Sequence, residues 1–78
     1  MSIKTYVLVV TDPGKTRHVH AEISKIPNIT ELHEVMGPYD LVVEIEVESL
    51  QDIPQILGER IRVIDGIQST TSMVTLDR

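Results

Sequence analysis

Apolar residues recur along the chain at two spacings, which distinguish strands from helices. Residues 3–11 are rich in Val, Ile, Tyr and Thr, a composition typical of a strand. Val19, Ile23 and Ile26 recur at intervals of three or four residues, which predicts a helix. The same criteria predict strands at residues 3–11, 29–36, 39–47 and 67–76, and helices at residues 15–26 and 50–64, the second with Ser49 as its N-cap.

An internal repeat supports a doubled β-α-β unit. Residues 23–29 ("ISKIPNI") and residues 61–67 ("IRVIDGI") share isoleucines at the same three offsets. In each copy, two helical isoleucines precede a short break and the isoleucine that opens a strand. We therefore predict an α+β fold of the ferredoxin-like βαββαβ type, an antiparallel four-stranded sheet with two helices on one face. Residues 1–78 form a single domain in this interpretation.

The alternation of side chains in the central hairpin predicts its register. If Met36 lies opposite Leu41, and Val35 opposite Val42, one face of the hairpin is apolar and the other largely acidic. A one-residue slip mixes the two sets. Glu34 falls on the apolar face in this register, which suggests a sheet edge or a bulge. The predicted apolar face consists of Leu32, Met36, Leu41, Val43, Ile45 and Val47, and the other face includes Glu31, His33, Asp40, Glu44 and Glu46.

The first strand is apolar on both faces, although only one face can meet the helices. A chain of 78 residues without Cys, Trp or Phe has little to stabilise it as a monomer. We therefore expect a second copy to pack sheet against sheet over the apolar face that the helices leave open. The alternative is a sheet with a few exposed valines. The residues predicted to need this cover are Val7, Val9, Val35 and Val42, with Tyr6, Leu8 and Val10 on the other face.

Composition excludes several classes of function. The net charge is −5, with 7 basic and 12 acidic side chains, which argues against a surface that follows nucleic-acid phosphates. No apolar run is long enough to span a membrane, and the N-terminus lacks the features of a signal peptide. We expect a cytoplasmic protein. Without cysteine there is no Cys-based zinc site, and nothing in the sequence indicates a metal or another cofactor.

Two groups of residues are candidates for chemistry. His33 and Glu44 face each other in the predicted hairpin, as an acid–base pair or as an ordinary polar cross-strand pair. With Tyr6, they are the candidates if the domain is an enzyme. The second group joins the hinge after the second strand, where Gly37 permits close approach of a ligand, to a hydroxyl-rich last strand. Asp40 could pair with an ammonium group, and the hydroxyls with a carboxylate, unless they only decorate an edge strand.

The order of the motifs resembles the effector domain of the Lrp/AsnC transcription regulators, also called RAM. The hairpin pattern of that family is V-x-G-x-Y-D, matched here by Val35, Gly37, Tyr39 and Asp40. Its last-strand pattern, G-V-x-x-T-x-T, is matched by Gly66 and Thr70, with Ile67 and Ser72 as substitutions. The resemblance covers essentially the whole chain. It implies a non-enzymatic ligand-binding site formed by Gly37, Pro38, Tyr39, Asp40, Thr70 and Ser72, to which the hydroxyl run adds Thr71.

The resemblance also implies partners. Family members bind small amino acids between subunits, dimerise through their sheets and form rings of four or five dimers, octamers or decamers. They usually carry an N-terminal helix-turn-helix, for which this sequence has no room, so we expect a stand-alone sensor that does not bind DNA directly. Such a module would modulate its own assembly or that of full-length Lrp/AsnC regulators. The alternatives are a monooxygenase-like dimeric α+β barrel enzyme and a ligand-free partner of full-length regulators.

Overall fold

The computed structural model describes residues 2–76 and confirms the predicted order of elements. One antiparallel sheet, in which the second, third, first and fourth strands of the chain lie side by side in that order, carries the two helical segments, so the ferredoxin-like βαββαβ fold is confirmed. None of the helices in residues 2–76 has the length and apolar character to cross a membrane. The elements are β1 (Ile3–Thr11), α1 (Thr16–Ile23), β2 (Ile29–Glu34), β3 (Leu41–Val47), α2 (Asp52–Ile56), which continues as a π-helical turn (Leu57–Ile61), and β4 (Ile67–Val74).

Both helical segments are shorter than predicted. After Ile23 the chain tightens, because Ile26 N–H bonds to the Ile23 carbonyl three residues back at 3.0 Å. Such bonds commonly close the last turn of a helix. Ile26 is buried all the same. Ser49 is not the N-cap of α2, whose cap position is Gln51. The Ser49 hydroxyl instead accepts a hydrogen bond from Gln51 N–H in the turn before the helix.

The second helical segment widens into a π turn that keeps its apolar residues on the core. Ile53, Leu57 and Ile61 are buried and lie four residues apart. In an α-helix, with 3.6 residues per turn, side chains four residues apart point in progressively different directions around the helix axis. A wider turn reduces this difference. The bond from Arg62 N–H to the Leu57 carbonyl, 2.8 Å, closes the wide turn. The predicted residue Leu50 lies before the helix and is exposed.

The predicted hairpin register is wrong by two residues. Leu32 lies opposite Val43 and Glu34 opposite Leu41, and the register shifts near Thr30, where β2 bulges. Because side chains alternate with a period of two, this displacement leaves most residues on their predicted faces. Met36 is the exception, since it lies beyond the end of β2 and is fully exposed.

The face assignment of β1 is also wrong. Val7 and Val9 are fully buried and pair with Val43 and Leu41, so they lie on the helix-covered face. We call the side of the sheet that the helices leave uncovered the open face, and its apolar residues are Tyr6, Leu8, Val10, Val42 and Met73. The expectation of an uncovered apolar face is therefore kept, and Val42 lies on it as predicted, whereas Val7 and Val9 do not. Val35, also predicted to lie there, belongs to the loop after β2.

Candidate functional site

The hinge between β2 and β3 is hydrogen-bonded to the C-terminal part of β1. Val35 N–H bonds to the Asp40 carbonyl at 2.9 Å, which closes the loop. Asp40 N–H bonds to the Val9 carbonyl at 2.8 Å. Gly37, at the exposed tip, has φ +146°, in the region that favours glycine. The loop is thus held at both ends, and its tip, including Pro38, is open to solvent.

The carboxylate of Asp40 already has a structural partner. Its Oδ2 accepts a hydrogen bond from Thr11 N–H at 2.8 Å. Thr11 is buried at the point where the register between β1 and β4 shifts, so the side chain of Asp40 satisfies a backbone donor in an irregular part of the sheet. A carboxylate accepts several hydrogen bonds, and this contact leaves capacity for a ligand.

The hydroxyl residues predicted on β4 are divided between the two faces of the sheet. Thr70 pairs with Val9 and therefore lies on the helix-covered face. Ser72, two residues on, shares that face. Thr71 pairs with Leu8 and lies on the open face. Thr71 was predicted as a site residue from the hydroxyl run alone, and it lies on the opposite face from Thr70 and Ser72.

One strand separates the hinge from β4 within a protomer. Asp40 bonds to one side of β1 at Val9, and Thr70 pairs with Val9 from the other side. Neighbouring strands lie about 4.8 Å apart, so the backbones of Asp40 and Thr70 are about 10 Å apart. The two predicted halves of the site share one end of the sheet, and among residues 2–76 the groove at β4 is lined by no residue of the hinge.

A groove outside β4 contains an arginine that sequence reasoning missed. It has a volume of about 370 Å³ and is lined by Arg62, Ile67, Gln68, Ser69 and Thr70. Arg62 Nε donates a hydrogen bond to Thr70 Oγ1 at 3.3 Å. Arg62 stands out in the sequence only as one of two arginines at the end of a helix. Its approach to Thr70 depends on how the chain turns between them.

The predicted pair of His33 and Glu44 does not form. The register places His33 opposite Val42 and Glu31 opposite Glu44. His33 Nε2 instead lies 3.0 Å from Glu31 Oε1, on an exposed part of β2. The enzyme hypothesis therefore loses its acid–base pair. In residues 2–76 no three His, Asp or Glu side chains come together in a group that could hold a metal ion.

Glu44 has other partners on the open face. The bulge directs Thr30 toward it, and Thr30 Oγ1 donates a hydrogen bond to Glu44 Oε1 at 2.8 Å. This bond, followed by one from the Tyr6 hydroxyl, lowers the pKa of Glu44 below the ordinary value. The same contact with the Glu44 carboxylate raises the pKa of Tyr6. The open face therefore combines apolar residues with hydrogen-bonded carboxylates, those of Glu31, Glu44 and Glu46.

The lowered pKa of Glu44 predicts a loss of stability in acid. The unfolded chain binds a proton at Glu44 near the ordinary value of 4.5, whereas the folded chain binds it only at lower pH. The stabilisation is therefore complete above pH 4.5 and is lost as the pH falls through the folded value. We expect urea unfolding midpoints to show a smaller acid dependence in Glu44→Gln than in the wild type. Equal slopes between pH 3 and 6 would contradict this assignment.

Comparison with known proteins identifies the family. Residues 4–78 match the family model of the Lrp/AsnC ligand binding domain. The chain belongs to this family. An uncharacterized HTH-type transcriptional regulator of Pyrococcus abyssi is 34% identical over 74 residues, which are 94% of this chain and 47% of that protein. The chain thus spans about half the length of this relative.

Solved structures share the fold. FFRP-DM1 has a TM-score of 0.90 and 35% identity, over 95% of this chain and 99% of that one. A Neisseria meningitidis transcriptional regulator, solved as a complex with L-Met, has a TM-score of 0.86 over 96% of this chain and 50% of its own. At 14% identity, that second likeness shows the fold alone.

The family decides between the regulatory and the enzymatic hypotheses. The relatives that match over nearly the whole chain are named as transcriptional regulators. Homocitrate synthase of Sulfurisphaera tokodaii is 33% identical over 63 residues, but these are only 14% of that enzyme. The chain is a regulator-family domain and not an enzyme, so the monooxygenase-like alternative is rejected.

Proposed function

We propose that this Lrp/AsnC domain senses a small amino acid at a site shared between subunits. The observation that carries the proposal is the position of the two candidate halves on opposite sides of β1. Within the described residues, the groove at β4 is lined by no residue of the hinge, which supports a site completed by a second subunit. The hinge of one subunit, Gly37 to Asp40, would face the β4 hydroxyls of another, Thr70 and Ser72. Binding would then favour one assembly over another, because only the assembled state presents a complete site.

The chemistry of both halves suits an amino acid. The hinge offers a carboxylate at Asp40 that retains accepting capacity, which fits an ammonium group. The groove at β4 offers hydroxyl and guanidinium donors, which fit a carboxylate. The family model is that of a ligand binding domain, and one relative by fold was solved with L-Met. These observations support the class of ligand and leave its side chain open.

The open face supports dimerisation with a second copy. Tyr6, Leu8, Val10 and Val42 lie side by side on the uncovered side of the sheet and are only half-buried in the protomer. Covering them would complete a small aliphatic core. We propose that such dimers assemble further into octamers or decamers, in the cytoplasm. With a net charge of −5, the domain would act through partner regulators, including full-length Lrp/AsnC proteins, and not by touching DNA.

A thermal-shift screen against the twenty amino acids tests the proposal. A ligand that binds only the folded protein adds about 2.7 kcal/mol of stability at a concentration one hundred times its Kd. We expect one amino acid, or a few of similar side chain, to raise the melting temperature selectively. Absence of any shift at millimolar ligand would contradict amino-acid sensing and favour a ligand-free partner of full-length regulators.

The proposed dimer interface predicts a specific sensitivity to charge. Leu8→Glu places a carboxylate at the centre of the open face, which would be desolvated in the dimer, so we expect sedimentation analysis to show monomers. Leu50→Glu is the matched control, because Leu50 is exposed outside the sheet. We expect it to sediment as the wild type does. Dimers that persist in Leu8→Glu would assign the interface to another surface.

A further inference from the structure

The groove outside β4 has the character of an anion site. Its five lining residues include no carboxylate, although the chain carries an excess of acidic residues. They offer the Arg62 guanidinium, the Gln68 amide and the hydroxyls of Ser69 and Thr70. β4 is also an edge strand, so alternate backbone groups point away from β1. The lining therefore consists mainly of hydrogen-bond donors around one fixed positive charge.

Arg62 is positioned but not neutralised. Its Nε bonds to Thr70 Oγ1, which directs the guanidinium along β4. No carboxylate of residues 2–76 lies within ion-pair distance of it, whereas Lys15 pairs with Asp65 and Lys25 with Glu22, each at 2.7 Å. The Nη groups of Arg62 make no hydrogen bond within the described part of the chain. Two parallel donors therefore remain available, in the arrangement that a carboxylate accepts.

The backbone around Arg62 is specialised as well. Arg62 follows the π turn directly, and its own N–H closes that turn on Leu57 at 2.8 Å. π turns within α-helices are rare and occur frequently at functional sites. A regular α-helical turn would rotate Arg62 differently relative to β4. The irregular turn sets the backbone position of Arg62, and the contact with Thr70 orients its side chain.

We propose that Arg62, held by Thr70, binds the carboxylate of the amino-acid ligand in this groove. The inference rests on the proposed function, because Thr70 belongs to both. It adds Arg62, a residue outside the hinge and hydroxyl motifs, and assigns a different part of the ligand to each half of the site. The guanidinium determines that the ligand must carry a free carboxylate, while the hinge half contacts the remainder of the molecule.

The test is calorimetric titration with the amino acid selected by the screen and with its carboxamide, which lacks the negative charge. The wild type should bind the amino acid at least about tenfold more tightly than the carboxamide, as expected for a charge-assisted bond. Arg62→Gln should weaken binding of the amino acid by a similar factor and abolish the difference between the two ligands. Arg62→Lys keeps the charge without the planar pair of donors, so its affinity for the amino acid should lie between those of the wild type and Arg62→Gln.

Arg60→Gln is the matched control, because Arg60 is an exposed arginine that does not line this groove and the change in net charge is identical. It should bind both ligands as the wild type does. If the wild type binds an amino acid and Arg62→Gln binds it equally well, the role of Arg62 is overturned while amino-acid sensing stands. If the wild type binds none, both are overturned. If Arg60→Gln weakened binding as much as Arg62→Gln does, the effect would be one of net charge, and the specific contact of Arg62 with the ligand would be overturned.

Discussion

Asp40→Ala should lower the free energy of unfolding by about 1–3 kcal/mol, the cost of leaving a buried donor unsatisfied. The donor is Thr11 N–H, which lies 2.8 Å from Asp40 Oδ2 in a buried part of the sheet. The loss would also loosen the hinge, because the neighbouring bond from Asp40 N–H to Val9 depends on the same approach of the chains. Urea unfolding followed by circular dichroism measures the change.

Asp40→Asn separates this structural role from ligand binding. The amide oxygen can still accept the bond from Thr11 N–H, so the variant should lie within about 1 kcal/mol of the wild type. If Asp40 also pairs with the ammonium group of an amino acid, Asp40→Asn should nevertheless lose affinity. A fully stable Asp40→Ala would show that the contact with Thr11 contributes nothing. Unchanged ligand affinity in a folded Asp40→Asn would remove the carboxylate from the site.

Gly66→Ala should destabilise the fold by roughly 2–4 kcal/mol, from backbone strain and overpacking together. Gly66 has φ +103°, which side chains rarely tolerate. A Cβ there would lie 2.7 Å from the Cβ of Lys15 and 3.1 Å from Cγ2 of Val19. Neither atom can withdraw easily, since Lys15 is the N-cap residue of α1 and Val19 lies in the first turn of that helix. The Gly66 carbonyl also accepts a bond from Asp12 N–H at 2.7 Å, which ties the turn before β4 to the end of β1.

Gly58→Ala is the matched control. Gly58 lies in the π turn, where a Cβ would meet no atom within 4 Å, and its φ is negative. Alanine is favoured over glycine in helical segments, so stability should be unchanged or rise by up to about 1 kcal/mol. Thermal unfolding of both variants measures the difference. Equal melting temperatures would show that the turn at Gly66 relaxes without cost and would contradict the packing argument.

The sequence predicted the elements well where one side of a segment differs from the other. In β3, Val43, Ile45 and Val47 alternate with Glu44 and Glu46, and all three apolar residues are buried as expected. In β1 both sides are apolar, so alternation carried no information about which valines face the helices. The error at Val7 and Val9 follows from this. Pairing with the one-sided strand β3 decides the matter, and that pairing is a long-range contact.

For a related reason, the local pattern of apolar residues did not determine the register of the hairpin. A shift of two residues moves no side chain to the other face, so the apolar pattern of the hairpin fits both registers equally. The bulge near Thr30 and the length of the hinge determine the true one. The consequences for chemistry were large, since His33 lost its predicted partner and Glu44 gained Thr30 and Tyr6.

Order and type of elements, the aliphatic core and the family are all contained in local patterns and short motifs of this chain. They depend on composition, on spacing and on residues close in sequence. Other features depend on segments that meet across the fold. These are the hydrogen bond from Thr11 N–H to Asp40, the placement of Thr70 and Thr71 on opposite faces, and the contact of Arg62 with Thr70. Such contacts are set by the packing of the whole domain, because each is made only when distant segments have already found their register and face.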